Sequence, residues 1–347
     1  MTTLRHLPAP ALLEWGTAAL AAAGVPPEDA AQTTRMLVQT SLWGIDSHGV
    51  ARLPHYLNRI TQGSIAVRPE LAFKRTAAGT GQVDGGHGLG FVVCEFAMRH
   101  AIGLSGEAGV GAVGVANSSH CGAIGLYTRQ AARAGMIGVG FTHSDSFVTP
   151  HGGTKAFFGT NPISIAIPGT DPERPFCVDM ATSIVPWNRI MNARREGVSV
   201  PVGLGVDAEG RDSTDPARIT AVKPMAAHKG YALAFAIDML CGPLNGMTYG
   251  PHLTKMYEQL DQRRRLGSFF LAIDPARFAG GAVLAGVLVA AIAEAKAQKE
   301  GVLAPGDPEY LTAETRTRSG IPVEPGLWAE IADWSGRLRI PLPAGTA

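Results

Sequence analysis

The chain has 347 residues, 46% of them hydrophobic, and a formal net charge of +1. That is enough for one large or two moderate domains. The balanced charge argues against a nucleic-acid or anionic-membrane binder. Cys94, Cys121, Cys177 and Cys241 stand far apart with no Cys-x-x-Cys pair. They read as reduced packing thiols of a cytoplasmic protein, Cys121 also standing as a candidate nucleophile beside His120. No basic start followed by an apolar signal core opens the chain. The least polar stretch, 279–293, is shorter than the about 20 residues that span a bilayer.

In chain order, residues 9–42 predict two helices. The first ends at Gly24, and Pro26-Pro27-Glu28-Asp29 opens the second. At its exit stands Gly44-Ile45-Asp46-Ser47-His48-Gly49, with Arg52 four residues after the histidine. A short helix is expected over 50–60. The middle alternates helices (90–104, 124–134) with short apolar strands (110–115, 136–142, 163–167, 176–180), the pattern of an α/β layer architecture. Residues 201–222 read as loop, 230–240 as an apolar helix and 269–273 as a strand. Residues 279–293 are expected to form a close-packed Ala/Gly helix, and Arg263-Arg264-Arg265 a solvated face. A turn at Pro305-Gly306-Asp307-Pro308 precedes a C-terminal helix carrying Trp328 and Trp334. The helix-rich ends, 1–75 and 245–347, are expected to pack together as one domain around a central α/β domain, 76–244.

An imidazole titrating near neutrality suits proton transfer, and the planar fork of Arg52 suits a carboxylate. The first motif thus suggests an enzyme acting on a small carboxylate, or else a capping turn with a surface histidine. Gly109-Val110-Gly111-Ala112-Val113-Gly114 has G-x-G-x-x-G spacing. It enters a strand instead of leaving one, so it reads as a helix cap and not as a dinucleotide loop. His120 lies in a loop between strand and helix, where α/β folds concentrate chemistry. Lys229, at a helix start, suits an anion such as phosphate. No pair of histidines has the helical spacing and nearby acid of a His-Glu-x-x-His metal site, so no metal is expected.

Together, Asp46-Ser47-His48-Gly49, Ser119-His120-Cys121-Gly122-Ala123, Phe158-Gly159-Thr160-Asn161-Pro162, Asp179-Met180-Ala181-Thr182 and Lys229-Gly230-Tyr231 resemble the type-2 malate/L-lactate dehydrogenase family. Within it, Trp187 and the run Met256-Tyr257-Glu258-Gln259-Leu260 look most like the ureidoglycolate dehydrogenase branch. The resemblance implies a non-Rossmann dinucleotide-binding α/β fold, a cytoplasmic homodimer, and NAD, with NADP as the alternative. It implies hydride transfer between the nicotinamide and a small 2-hydroxy acid. The alternatives are a reductase of 2-keto or cyclic imino acids and a non-catalytic ligand-binding protein. It places the acid/base on His120 or His48, with Ser47 orienting. Arg52 and Tyr56 would bind the substrate. Ser144, Asp179, Met180, Ala181, Lys229, Gly230, Gly306 and Asp307 would contact the dinucleotide.

Overall fold

The computed structural model describes residues 4–345. Strand β1 (Arg5–Leu7) leads into α1 (Ala9–Ala22) and α2 (Pro27–Leu42). Both helices carry proline in the first turn, where the missing N–H loses no helical bond. Two 3₁₀ turns, Asp46–His48 and Val50–Arg52, precede α3 (Leu53–Thr61). The periodicity predicts one helix over 50–60, whereas the first of its turns is 3₁₀. Gly49 breaks the helical path at φ −92° and ψ −147°.

The hairpin β2 (Ala72–Ala77) and β3 (Thr80–Asp84) follows, then α4 (Gly90–Ala108), β4 (Val110–Ser118) and α5 (Gly125–Arg133). Next come β5 (Ile137–Thr142), β6 (Ile163–Ile167), β7 (Phe176–Met180) and α6 (Trp187–Glu196). A short pair, β8 (Gly205–Val206) and β9 (Ala221–Val222), precedes α7 (His228–Cys241) and β10 (Leu266–Ile273). The chain closes with α8 (Gly281–Ala297), α9 (Asp307–Ser319), β11 (Ile321–Val323) and α10 (Pro325–Leu338).

Seven strands form one sheet in the order β2-β3-β4-β10-β5-β6-β7. β3 and β4 run parallel, and the remaining neighbours run antiparallel. This is not the parallel doubly wound sheet of a Rossmann domain. The glycine-spaced segment behaves as its context predicts: Gly109 caps α4 at φ +84° and β4 begins at the next residue. Its later glycines let helices approach both faces of the sheet. A Cβ on Gly111 would overlap the Ala101 carbonyl of α4, and one on Gly114 would overlap the Asn245 side chain beyond α7.

The terminal helices and the sheet share one core, from Leu12, Trp15 and Trp43 through Phe91 and Val113 to Phe270 and Trp334. β1 pairs with β11, and Trp15 Nε1 donates to Ser335 Oγ at 2.8 Å. Both contacts tie the N-terminal segment to the C-terminal one. Two expectations are corrected. Helix α8 forms but buries none of its residues in this chain, leaving Val283 and Val287 more than half exposed. Leu284, Ala285, Leu288 and Ile292 are half-buried, and among the described residues no element buries the opposite apolar face. Arg264, expected in solvent, is 2% exposed, because Asp145 draws its guanidinium inward. No helix among the described residues is long and apolar enough to cross a membrane.

Candidate active site

The first half of the site is built by the exit of α2. Gly44 turns the chain at φ +83°. Val50 N donates to Ser41 Oγ at 2.9 Å, and a Cβ on Gly49 would overlap that same hydroxyl. The turns therefore press against α2 only because residue 49 has no side chain. They hold Ser47 Oγ 2.8 Å from His48 Nδ1. Arg52 Nε donates to the Ser47 carbonyl at 2.5 Å. From α9, Arg316 grips Asp46 with both Nη atoms, at 2.5 and 2.8 Å. A bidentate pair of this kind fixes direction as well as distance.

The second half comes from the exit of β4. Ser119 Oγ donates to the Gly88 carbonyl at 2.8 Å and accepts from Gly90 N at 2.9 Å, pinning the loop to the start of α4. Tyr127 O–H donates to the Cys121 carbonyl at 2.6 Å. Cys121 is itself buried and reads as a packing residue. These bonds bring His120 against His48, ring centroids 5.5 Å apart and planes inclined by 28°.

Tyr56 Oη lies 2.6 Å from His120 Nδ1, and Gly122 N lies 3.3 Å from the same nitrogen. The other ring nitrogen, Nε2, is thus the one left for a substrate. Burial holds His48 down to about 4, with the Arg52 charge adding to the effect. Burial likewise pushes His120 well below the usual histidine range, helped by His48 and by Arg52. Both imidazoles are neutral at neutral pH.

Arg52 does not stand alone. Its Nη1 donates to Tyr257 O–H at 2.7 Å, and its guanidinium lies 5.7 Å from that ring centre. Tyr257 sits on a strap between α7 and β10. Arg59 fastens the strap by donating to the Lys255, Met256 and Gln262 carbonyls. Asp145 accepts from Met256 N and from Arg264. The motif containing Tyr257 was visible in sequence, but its pairing with Arg52 spans 205 residues and leaves no local signal. A cavity of about 820 Å³ opens beside Ser47 and Arg52. Its far wall includes Asn188, Asn192 and Arg195 of α6, which sequence reasoning passed over.

The residues expected around a dinucleotide are linked through their backbones. Ser144 N donates to Asn161 Oδ1 at 3.2 Å, and Thr160 N donates to Ser144 Oγ at 3.2 Å. Thr182 N donates to the Thr160 carbonyl at 2.9 Å, and Met225 N to the Thr182 carbonyl at 2.8 Å. That chain joins Ser144, the 179–182 turn and the entrance of α7. Gly306 and Asp307 reach β7 separately, through Cys177 N donating to the Pro305 carbonyl at 3.2 Å. Asp307 opens α9, where a plain turn was expected, and holds Lys296 at 2.5 Å.

Asp179 points inward. Its Oδ2 accepts from Gly125 N at 2.9 Å, and burial raises it to about 6. Met180 beside it is exposed. At α7, Lys229 is exposed and Gly230 buried against Met225. Ala226 and Ala227 hold positive φ (45° and 54°), and no side chain caps the helix. An uncapped positive helix end beside a lysine fits a phosphate group.

Residues 7–332 match the family described as Malate/L-lactate dehydrogenase. The ureidoglycolate dehydrogenase (NAD(+)) of Escherichia coli O157:H7 is 37% identical over 256 residues, 74% of this chain and 73% of that one. The L-sulfolactate dehydrogenase of Methanothermobacter thermautotrophicus is 34% identical over 325 residues, 93% of this chain and 94% of that one. The solved sulfolactate dehydrogenase of Methanocaldococcus jannaschii superposes with a TM-score of 0.91 at 31% identity, covering 98% of each chain. The chain belongs to the malate/L-lactate dehydrogenase family.

Proposed function

We propose that the protein is an NAD(P)-dependent dehydrogenase of a small 2-hydroxy acid, with His120 as the proton-transfer group. The observation that carries this reading is the meeting of His120, Tyr56, His48 and Arg52 at the ends of two unrelated elements. When bound, the nicotinamide dinucleotide supplies the hydride acceptor or donor. Lys229, Gly230, Ser144, the 179–181 turn and the Gly306-Asp307 helix start would hold it. The open, uncapped entrance of α7 fits its phosphates.

Arg52 receives the substrate carboxylate, with the Tyr257 hydroxyl beside it. Neutral His120 takes the substrate hydroxyl proton at Nε2 in oxidation, becoming imidazolium, and returns it to the substrate oxygen in reduction. The Tyr56 hydroxyl at Nδ1 holds the ring and accepts Nδ1–H from the imidazolium formed in oxidation. His48, turned by Ser47, closes the other side of the ring. Four free, buried cysteines support a cytoplasmic setting. The uncovered apolar face of α8 supports a homodimer. A central unit over 76–244 and a terminal unit over 1–75 and 245–347 remain the proposed domains. The pairing of β1 with β11 supports the terminal unit, although β10 from that unit completes the central sheet.

The reading is tested by following nicotinamide absorbance with a panel of 2-hydroxy acids, NAD and NADP each supplied in turn. Turnover of at least one malate-, lactate- or ureidoglycolate-like acid is expected. No turnover with either cofactor would reject the dehydrogenase reading.

A further inference from the structure

Four ionisable side chains that the proton-transfer step does not use are buried around the end of β5: His143, Asp145, Asp238 of α7, and Arg264. Burying charge is unfavourable, and hydrogen-bonded networks of this kind rigidify the segments they join.

Three consecutive residues, 143–145, hold different parts of the fold. His143 Nε2 accepts from Gly267 N at 2.9 Å, where the strap carrying Tyr257 enters β10. Its Nδ1 lies 3.3 Å from Asp238 Oδ1. Asp238 Oδ2 accepts from Gly250 N at 3.0 Å, ahead of the strap. Ser144, a proposed dinucleotide contact, is bonded to Thr160 N and to Asn161 Oδ1. Asp145 reaches the middle of the strap: Oδ2 accepts from Met256 N at 3.0 Å, and Oδ1 from Arg264 Nη2 at 2.6 Å.

The strap depends on such fastenings. Residues 253–265 form no helix or strand, and Leu253, Met256 and Arg264 are its buried side chains. Arg59 of α3 ties it to the substrate side through three carbonyls, and Asp145 ties it to the dinucleotide side. Tyr257 follows Met256 directly. The Met256–Asp145 bond therefore sets where the Tyr257 hydroxyl meets Arg52 Nη1, 2.7 Å away.

We propose that Asp145 is a positioning residue that couples dinucleotide binding to the substrate clamp. The coupling rests on the proposed function for the places of the dinucleotide and the carboxylate. A dinucleotide that fixes Ser144 also fixes the residue next to it. The Asp145 carboxylate then holds Met256 N, and Tyr257 presents its hydroxyl beside Arg52. With both oxygens engaged, this carboxylate acts through the strap and not on the substrate. The effect is reciprocal: a carboxylate seated on Arg52 and Tyr257 tightens dinucleotide binding by the same factor.

The test is amide hydrogen exchange of the full chain with NADH, and in a separate arm NADPH, no hydroxy acid being present. Exchange reports local opening directly. In the wild-type chain the dinucleotide should slow exchange at the Thr160 amide, which donates to Ser144, and at the Met256 amide, which donates to Asp145. In Asp145→Asn the slowing should persist at Thr160 and disappear at Met256. The Gly250 amide, held by Asp238, is the internal comparison and should not respond to the substitution. With the acid found active in the panel, Asp145→Asn should raise the KM for that acid about five- to tenfold. Its kcat, and the dinucleotide Kd measured without acid, should stay within about twofold. Circular dichroism checks folding. If Asp145→Asn fails to fold for want of a counter-charge to Arg264, Asp145→Leu combined with Arg264→Met removes the pair together and carries the same test.

A Met256 amide still slowed by the dinucleotide in the variant, an unchanged KM for the acid, or a loss confined to kcat overturns the proposal. So does dinucleotide binding by the wild-type chain without slowing at Met256, a result that leaves the dehydrogenase reading standing. Absence of binding by either dinucleotide rejects that reading and the coupling with it.

Discussion

At the residue scale, the site turns on which ring nitrogen is engaged. Tyr56 Oη and Gly122 N both lie against His120 Nδ1, which leaves Nε2 for the substrate. The two histidines and Arg52 were legible in sequence as residue types with the right chemistry. Their stacking was not, because 72 positions separate His48 from His120. Tyr257 and Arg264 escaped for the same reason: each acquires its role from a partner more than 100 residues away. The lowered imidazoles also fix the pH behaviour. His48 titrates at about 4 in the folded chain, against about 6.5 unfolded. Between those values the unfolded chain binds more protons, so stability is full above about pH 6.5 and falls as pH drops toward 4. The rate of oxidation, which needs neutral His120, should stay flat well below about pH 6.5. A kcat/KM profile for oxidation with an acid limb at the ordinary histidine value would contradict the burial of these rings.

At the scale of elements, local pattern located what buries one face of a helix or strand. β6 and β7 lie where their apolar runs place them. The hairpin β2 and β3 was missed because the residues of β2 are mostly exposed and read as polar loop. Helix α9 was read as a turn at its start, since Pro308 and Asp307 suit both; in the fold they occupy the first helical turn, where proline and acid are favoured. α9 also couples two regions. Its first turn adjoins β7 through Pro305, and its last turn carries Arg316 to Asp46. The Gly306-Asp307 turn and the His48 turn thus hang from opposite ends of one helix.

At the scale of the molecule, strand order is what the sequence could not reveal. β10 enters between β4 and β5 from beyond α7, and no periodicity encodes which neighbours a strand will choose. The apolar content of α8 was legible, but its burial was not, because the described residues cover it only in part. The proposed homodimer through α8 predicts that Val287→Asp shifts the protein toward monomer in analytical ultracentrifugation while circular dichroism is unchanged; an unaltered sedimentation profile would remove α8 from the proposed contact. The whole arrangement converges on one ring. The measurement that tests it most directly is single-turnover hydride transfer in His120→Ala compared with His48→Ala, using the acid found active in the panel. His120→Ala should be slower by ~10²–10⁴-fold, with His48→Ala affected less. A near-normal rate in His120→Ala, with the loss falling on His48→Ala, would contradict the assignment of proton transfer to His120.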